Sequence, residues 1–300
     1  MKIPKDLDLK NVMIDNSRCI IKVDGADSEK FLQNLLTNNI TPEYSYSLLL
    51  TPQGKVLYDF FVYRTEDGFL LDCDQGSQVQ ILDAFSKYKL RQKVNFTYLA
   101  NLGVLLSLGK QQGFFHDPRH QNLGYRAIVD LDALGKADEI LELFDIGMDY
   151  NTKLSGELLD KQNQTSQQQN SLVSVYMNQL YNLALPCFRR DYGSQEYFPF
   201  ELGLENFGAI SYNKGCYVGQ EVITRTKFRG TVRRRVYKLK PAGYFWPNQI
   251  YGIKHGDQIM VQEKIVGYVL GCYQKGLLAI VRDEAMDCDI TIAGVSCEIV

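Results

Sequence analysis

The sequence predicts an α+β protein that ends in a small all-β module. Over the first hundred residues, helical periodicity alternates with short β-rich runs. From about Gly230 onward only short strands remain, one every eight to twelve residues or so, the spacing of a small antiparallel barrel or sandwich.

Arg18-Cys19-Ile20-Ile21-Lys22-Val23 reads as a strand that stops at Asp24-Gly25. Asp27 or Ser28 then caps a helix with Phe31, Leu32, Leu35 and Leu36 on one face. Residues 46–50 and 56–63 form two strands around Thr51-Pro52-Gln53-Gly54-Lys55, where Pro and Gly supply hairpin chemistry. Glu66-Asp67-Gly68 turns into Phe69-Leu70-Leu71, and a helix with Val79, Leu82, Phe85 and Leu90 on its apolar side follows. A second strand-rich unit starts near Val94, with buried strands at 102–108 and 127–129. Residues 158–170 are rich in Gln, Asn and Ser and lack periodicity, which reads as a surface loop or the polar start of a helix. The last strands fall at 232–239, 258–261, 265–272, 276–281, 290–292 and 295–299. Three domains are expected, at 1–93, 94–229 and 230–300.

Bulk properties exclude several classes. The net charge of −2 sets up no global field toward nucleic acid or membrane, so any anion must be held by a local cluster. No stretch approaches the roughly eighteen apolar residues of a membrane span, and Met1-Lys2-Ile3-Pro4-Lys5-Asp6 lacks the apolar region of a signal peptide. Seven scattered cysteines without a C-x-x-C pair suggest neither a disulfide framework nor structural zinc. A cytoplasmic, monomeric chain is expected, with no metal. Three histidines leave little room for a His-based triad.

Asn213-Lys214-Gly215-Cys216-Tyr217-Val218-Gly219-Gln220-Glu221 is the most informative stretch. Its glycines permit positive φ and close backbone approach, displaying Cys216 and Tyr217 on a tight turn ahead of a helix. A thiol near a helix N-terminus and beside Lys214 is expected to have a lowered pKa. The alternative is that Cys216 is a small buried hydrophobe between ordinary turn glycines.

Lys-Gly-Cys-Tyr-x-Gly-Gln-Glu at Lys214 to Glu221 resembles the signature of the YgfZ family of folate-binding proteins, which includes a mitochondrial iron–sulfur assembly factor. Similar segments lie at Gly25-Ala26-Asp27, Leu36-Thr37-Asn38, Leu50 to Gly54, Asp117-Pro118-Arg119, Phe198-Pro199-Phe200-Glu201 and Thr224-Arg225. The resemblance implies a T-protein-like ring of three domains with a central folate channel. It implies tetrahydrofolate or a one-carbon derivative as cofactor, and iron–sulfur client or assembly proteins as partners. Cys216 would be the functional thiol.

T-protein relatives, which transfer an aminomethyl group to tetrahydrofolate, carry two adjacent aspartates after a Gly-rich turn. Gly54-Lys55-Val56-Leu57-Tyr58-Asp59 puts Tyr58 in place of one and keeps Asp59, so transferase activity is the second reading rather than the first. A pterin needs a carboxylate or amide inside an aromatic slot, and its anionic glutamate tail needs Arg or Lys. Glu201 is either the pterin partner or a surface acid. Tyr58, Tyr63 and Tyr217 are candidates for the slot, Gln220 and Glu221 for contacts beside it, and Lys214, Arg225 and Arg229 for the tail. A third reading takes Arg229, Arg233, Arg234, Arg235 and Lys238 as an RNA-binding patch. The competing reading of that run is a barrel strand with an exposed basic face, and nucleic acid is not expected.

Overall fold

The computed structural model describes residues 11–134, 142–144, 172–242 and 252–300. In chain order these contain β1 (Val12–Asp15), β2 (Arg18–Asp24), α1 (Ser28–Leu35), β3 (Tyr44–Leu50), β4 (Val56–Thr65), β5 (Gly68–Asp74), α2 (Gln78–Lys89), β6 (Asn95–Tyr98) and β7 (Leu102–Ser107). Next come β8 (Phe115–His116), β9 (Tyr125–Asp130), α3 (Leu131–Leu134), β10 (Glu142–Phe144), α4 (Leu172–Asn182) and α5 (Gln220–Arg229). The chain finishes with β11 (Arg234–Pro241), β12 (Gln258–Val261), β13 (Lys264–Tyr273), β14 (Gly276–Arg282), β15 (Ile290–Ile292) and β16 (Val295–Ile299).

The first sheet is antiparallel, in the order β3-β4-β5-β2-β6. Alternation along its strands sends Phe60 toward α1 and α2, where Phe31, Phe85 and Phe96 pack with ring centroids 5.3 to 5.8 Å apart. The other face meets the second sheet, β10-β1-β7-β9-β8. Two strands cross the expected division of the chain. β1 leaves the first unit to lie between β10 and β7, and β6 returns to pair with β2. Both sheets thereby share one buried core.

The last six strands close into a barrel, β11-β14-β13-β12-β15-β16, which decides between the barrel and sandwich alternatives. Its interior is a separate core that includes Leu239, Val269, Leu277, Ala279, Ile290 and Ile292.

One expected face is corrected. In α2 the buried residues are Ile81 and Phe85, four apart, whereas Val79 and Leu90 are 69% and 86% exposed. Val79, six residues before Phe85, falls on the far side of the helix, and Leu90 lies past its end at φ 49°. In α1, Phe31, Leu32 and Leu35 face inward as expected. Asp27 precedes this helix, but its carboxylate accepts from the Lys93 amide at 2.7 Å and so braces a distant turn. Residues 158–170 lie outside the described residues.

A buried charge cluster joins the sheets. Arg18 donates from Nε to Asp72 at 2.5 Å and from Nη1 to Asp59 at 2.8 Å. Arg126, on β9, reaches Asp72 at 2.8 Å and stands 3.6 Å from Asp15. Arg119 pairs with Asp117 at 2.8 Å. The guanidinium carbons of Arg126, Arg119 and Arg18 lie 4.0, 4.7 and 5.4 Å from the centre of the Phe61 ring, whose negative face suits them. Burial pushes the Asp72 carboxyl up, but Arg18 and Arg126 outweigh it and hold it below its ordinary value. Asp15 goes the other way: burial raises it to about 6, against a weaker opposing pull from Arg126.

Asp15 therefore sets a pH dependence. Its folded-state pKa lies above the unfolded one, so its contribution to stability is full near pH 4 and is lost as pH rises through about 6. Thermal melts of Asp15→Asn should lack this decline and exceed the parent protein at pH 7.5. A variant that melts lower at pH 7.5 and keeps the decline contradicts the assignment.

Candidate functional site

The Lys214–Glu221 segment is held at both ends by the first sheet and its helix. Lys214 Nζ donates to the carbonyls of Leu36 at 2.6 Å and Asn38 at 2.8 Å, just beyond α1. The same stretch takes three more bonds from the approach to the segment. Thr37 Oγ1 donates to Ala209 O at 2.6 Å, Asn38 Nδ2 to Gly208 O at 2.7 Å, and the Ser211 amide to Thr37 O at 3.1 Å. Burial lowers the Lys214 ammonium to about 8. Its Nζ also sits 5.4 Å from the centre of the buried Tyr217 ring.

At the other end, Gly219 sits immediately before α5 with φ 82°. A Cβ there would lie 2.8 Å from Thr51 O and 3.2 Å from Leu50 Cβ. Across the same contact, a Cβ on Gly54 would lie 3.0 Å from Val222. The hairpin loop at 51–55 and the start of α5 are thus packed backbone to backbone, and only glycine permits it. Gly215 is different: its φ is not positive, and a Cβ would meet nothing within 4 Å. One of the two bracketing glycines is required by geometry and the other is not.

Between these anchors Cys216 is solvent-exposed, four residues ahead of the first helical residue. Five other cysteines (Cys19, Cys73, Cys187, Cys272 and Cys297) are buried, and Cys288 is the second exposed one. The alternative of Cys216 as a buried hydrophobe is excluded. The expected electrostatic partnership is corrected in one respect: the ammonium of Lys214 is committed to two carbonyls.

The remaining predicted residues do not gather in one place. Tyr58 and Asp59 are consecutive on β4 and face opposite sides of the sheet. Tyr58 is buried edge-on to Phe188, with centroids 6.0 Å apart. Asp59 belongs to the charge cluster, Oδ1 accepting from Arg18 and Oδ2 from Tyr46 Oη at 3.2 Å. Asp59, the candidate catalytic acid, is thus ion-paired with Arg18. Tyr63 packs against Tyr44 at 4.5 Å and Phe115 at 5.6 Å on the cluster side. Glu201 is likewise engaged, accepting from Arg234 Nε at 2.5 Å and the Phe198 amide at 2.9 Å. It braces the segment before α5 against the barrel.

Gln220, Glu221, Arg225 and Arg229 do share one place. With Thr224 and Phe228 they line, among the described residues, an open groove of about 650 Å³ along α5. Three members of the basic run that follows are engaged within the protein. Arg234 pairs with Glu201 and Arg235 with Asp283, and Lys238 donates to Asn182 O. Those contacts favour the barrel-strand reading.

Sequence reasoning missed Arg18, Arg126 and Tyr192. The Tyr192 hydroxyl is buried without a hydrogen-bond partner among the described residues. Burial pushes its pKa well up, and Tyr46 and Asp59 are among the groups that act on it. The available signal was charge inside apolar strands, as in Leu71-Asp72-Cys73-Asp74 and Tyr125-Arg126-Ala127.

No protein-family model matches the chain. It is 28% identical over 245 residues to the mitochondrial iron–sulfur cluster assembly factor IBA57 homolog of Coccidioides immitis, covering 75% of this chain and 55% of that protein. It is 26% identical over 294 residues to human mitochondrial IBA57, covering 87% of this chain and 73% of the relative. The chain spans about half the length of several curated relatives, such as 51% of the Neurospora crassa homolog. In three dimensions it is similar to the glycine cleavage system aminomethyltransferase T from Bartonella henselae. The TM-score is 0.67 at 13% identity, over 96% of this chain and 85% of that one. The fold is T-protein-like. The cytoplasmic placement expected from the sequence is overturned, because these relatives are named as mitochondrial proteins.

The two glycines give a paired test of the loop. Gly219→Ala should destabilise the protein by about 1–3 kcal/mol through strain and the clash with Thr51 O. Gly215→Ala should stay within about 0.5 kcal/mol of the parent in the same urea titration. Equal effects would mean that the helix start is not pinned by this contact.

Proposed function

We propose that this chain, a YgfZ-type protein with the T-protein-like fold, takes part in assembling or repairing iron–sulfur clusters, and that the Cys216 thiol is what it brings to that work. The observation that carries the proposal is an exposed thiol on a loop clamped from both sides, while five other cysteines are buried. The relatives, named as iron–sulfur cluster assembly factors, supply the direction. The clamp limits the conformations of the loop, so the sulfur meets a partner without first being ordered.

Aminomethyl transfer is less well supported. A carboxylate acting as cation stabiliser needs charge that a neighbouring cation does not already balance, and Arg18 pairs with Asp59. Both Asp59 oxygens already accept hydrogen bonds, and Tyr58 faces away.

A reduced folate is the cofactor class we infer, and the donor set is divided. The Tyr192 hydroxyl, which has no hydrogen-bond partner among the described residues, and the Tyr46 hydroxyl on Asp59 would hold the polar edge of a pteridine. Lys214 and Glu201, expected around it, are occupied by protein partners. Once bound, the folate would supply a one-carbon carrier. The protein's own part is to orient the ring through these hydroxyls, with Asp59 held in place by Arg18.

Cys216→Ala and Cys216→Ser should fold and melt like the parent yet fail to restore iron–sulfur enzyme activity in cells lacking the protein. Full restoration by both would remove the thiol from the mechanism. For the cofactor, calorimetric titration with tetrahydrofolate should show saturable binding. Tyr192→Phe should weaken it roughly tenfold with no loss of melting temperature, since that hydroxyl has no hydrogen-bond partner among the described residues. Unchanged affinity would place the pteridine elsewhere.

A further inference from the structure

The groove along α5 has features that neither the loop nor the charge cluster uses. Phe228 projects into it with 69% of its surface exposed, on a helix followed directly by the barrel. Arg225 and Arg229 stand one helical turn apart on the same wall, and the exposed Arg233 follows. None of the three has an ion-pair partner among the described residues. Their basic neighbours do: Lys227 pairs with Glu205, Arg234 with Glu201 and Arg235 with Asp283. In a chain of net charge −2, this is a local surplus of positive charge around an exposed ring. Cys216 lies just upstream of the same helix.

We propose that this groove docks an acidic segment of a partner protein, whose carboxylates pair with Arg225 and Arg229 and whose apolar side chain covers Phe228. The partner's identity as an iron–sulfur assembly or client protein rests on the function proposed above; the docking chemistry does not. Arginine and aromatic side chains together are the composition of interface hot spots. An arginine fork donates two parallel hydrogen bonds to one carboxylate, which fixes orientation as well as attraction. A nucleic acid is a poorer occupant. A phosphate backbone needs a continuing track of free cations, and here the track ends where Lys227, Arg234 and Arg235 are neutralised. Docking along α5 would bring the partner up to the exposed Cys216 sulfur.

The test replaces Phe228 in the full-length chain with p-benzoylphenylalanine, irradiates living cells, and sequences the attached peptide by mass spectrometry. The expected adduct is a protein segment with a net negative charge within about ten residues, lost when Arg225→Glu and Arg229→Glu are added. A synthetic copy of that segment should bind the purified parent chain. Its affinity should fall at least tenfold between 50 and 200 mM salt, and binding should vanish for the double charge reversal, whose fold is checked by its melting curve. An RNA adduct, a neutral or basic peptide, no adduct, or binding indifferent to the charge reversal would each overturn the proposal. If the acidic segment belongs to a protein unconnected with iron–sulfur clusters, the docking surface stands and the functional reading above fails.

Discussion

The arrangement of this molecule depends on the burial of three arginines and four aspartates between two sheets. Unpaired, each such charge would cost several kcal/mol in a low-dielectric interior. The cost is met only when Arg126 from β9 reaches Asp72 on β5, while Arg18 bridges Asp72 and Asp59. Phe61 lies among the guanidinium groups and supplies the ring face that fills the space they leave. Such a cluster tolerates no slippage of one sheet over the other, because a one-residue shift would strand a charge. It therefore acts as a register for the whole N-terminal body.

That register has a chemical consequence. The carboxylate that most resembles a transferase acid, Asp59, is part of the scaffold and carries its charge as the partner of Arg18. What the protein offers to the outside comes from the Lys214–Glu221 loop. The loop is fastened to the Leu36-Thr37-Asn38 segment at one end and to the Thr51–Gly54 turn at the other. Both anchors belong to the unit whose position the charge cluster sets. The geometry of the exposed thiol is thus inherited from contacts made far away in sequence, 178 residues apart in the case of Lys214 and Leu36.

Much of the fold was legible because strands and turns leave short-range signatures. The β-rich runs of β3 and β4, the Pro-Gly hairpin between them, and the evenly spaced strands of the barrel are local patterns, and each was found where expected. The face of α2 was misjudged because Val79, Leu82, Phe85 and Leu90 offer several apolar stripes. Only the floor provided by Phe31 and Phe60 selects Ile81 and Phe85. The exchange of β1 and β6 between sheets left no local trace at all. Nor did the pairing of Asp72 with Arg126, since an acid in one apolar strand does not reveal which distant base will answer it.

By itself the sequence pointed to the α+β class, the C-terminal strands and the Lys-Gly-Cys-Tyr loop with its bracketing glycines, because strand and turn chemistry are properties of neighbouring residues. The contact with Thr51 decided that Gly219 is the one required. Tertiary structure alone decided which groups remain free to act. It consumed Asp59, Glu201 and Lys214 in internal pairing, left Cys216 exposed, and gathered Arg225, Arg229 and Phe228 along an open groove. The physical reason is that the availability of a polar group depends on whether the folded chain brings it a partner. That partner is set by contacts between distant elements, which no local pattern specifies.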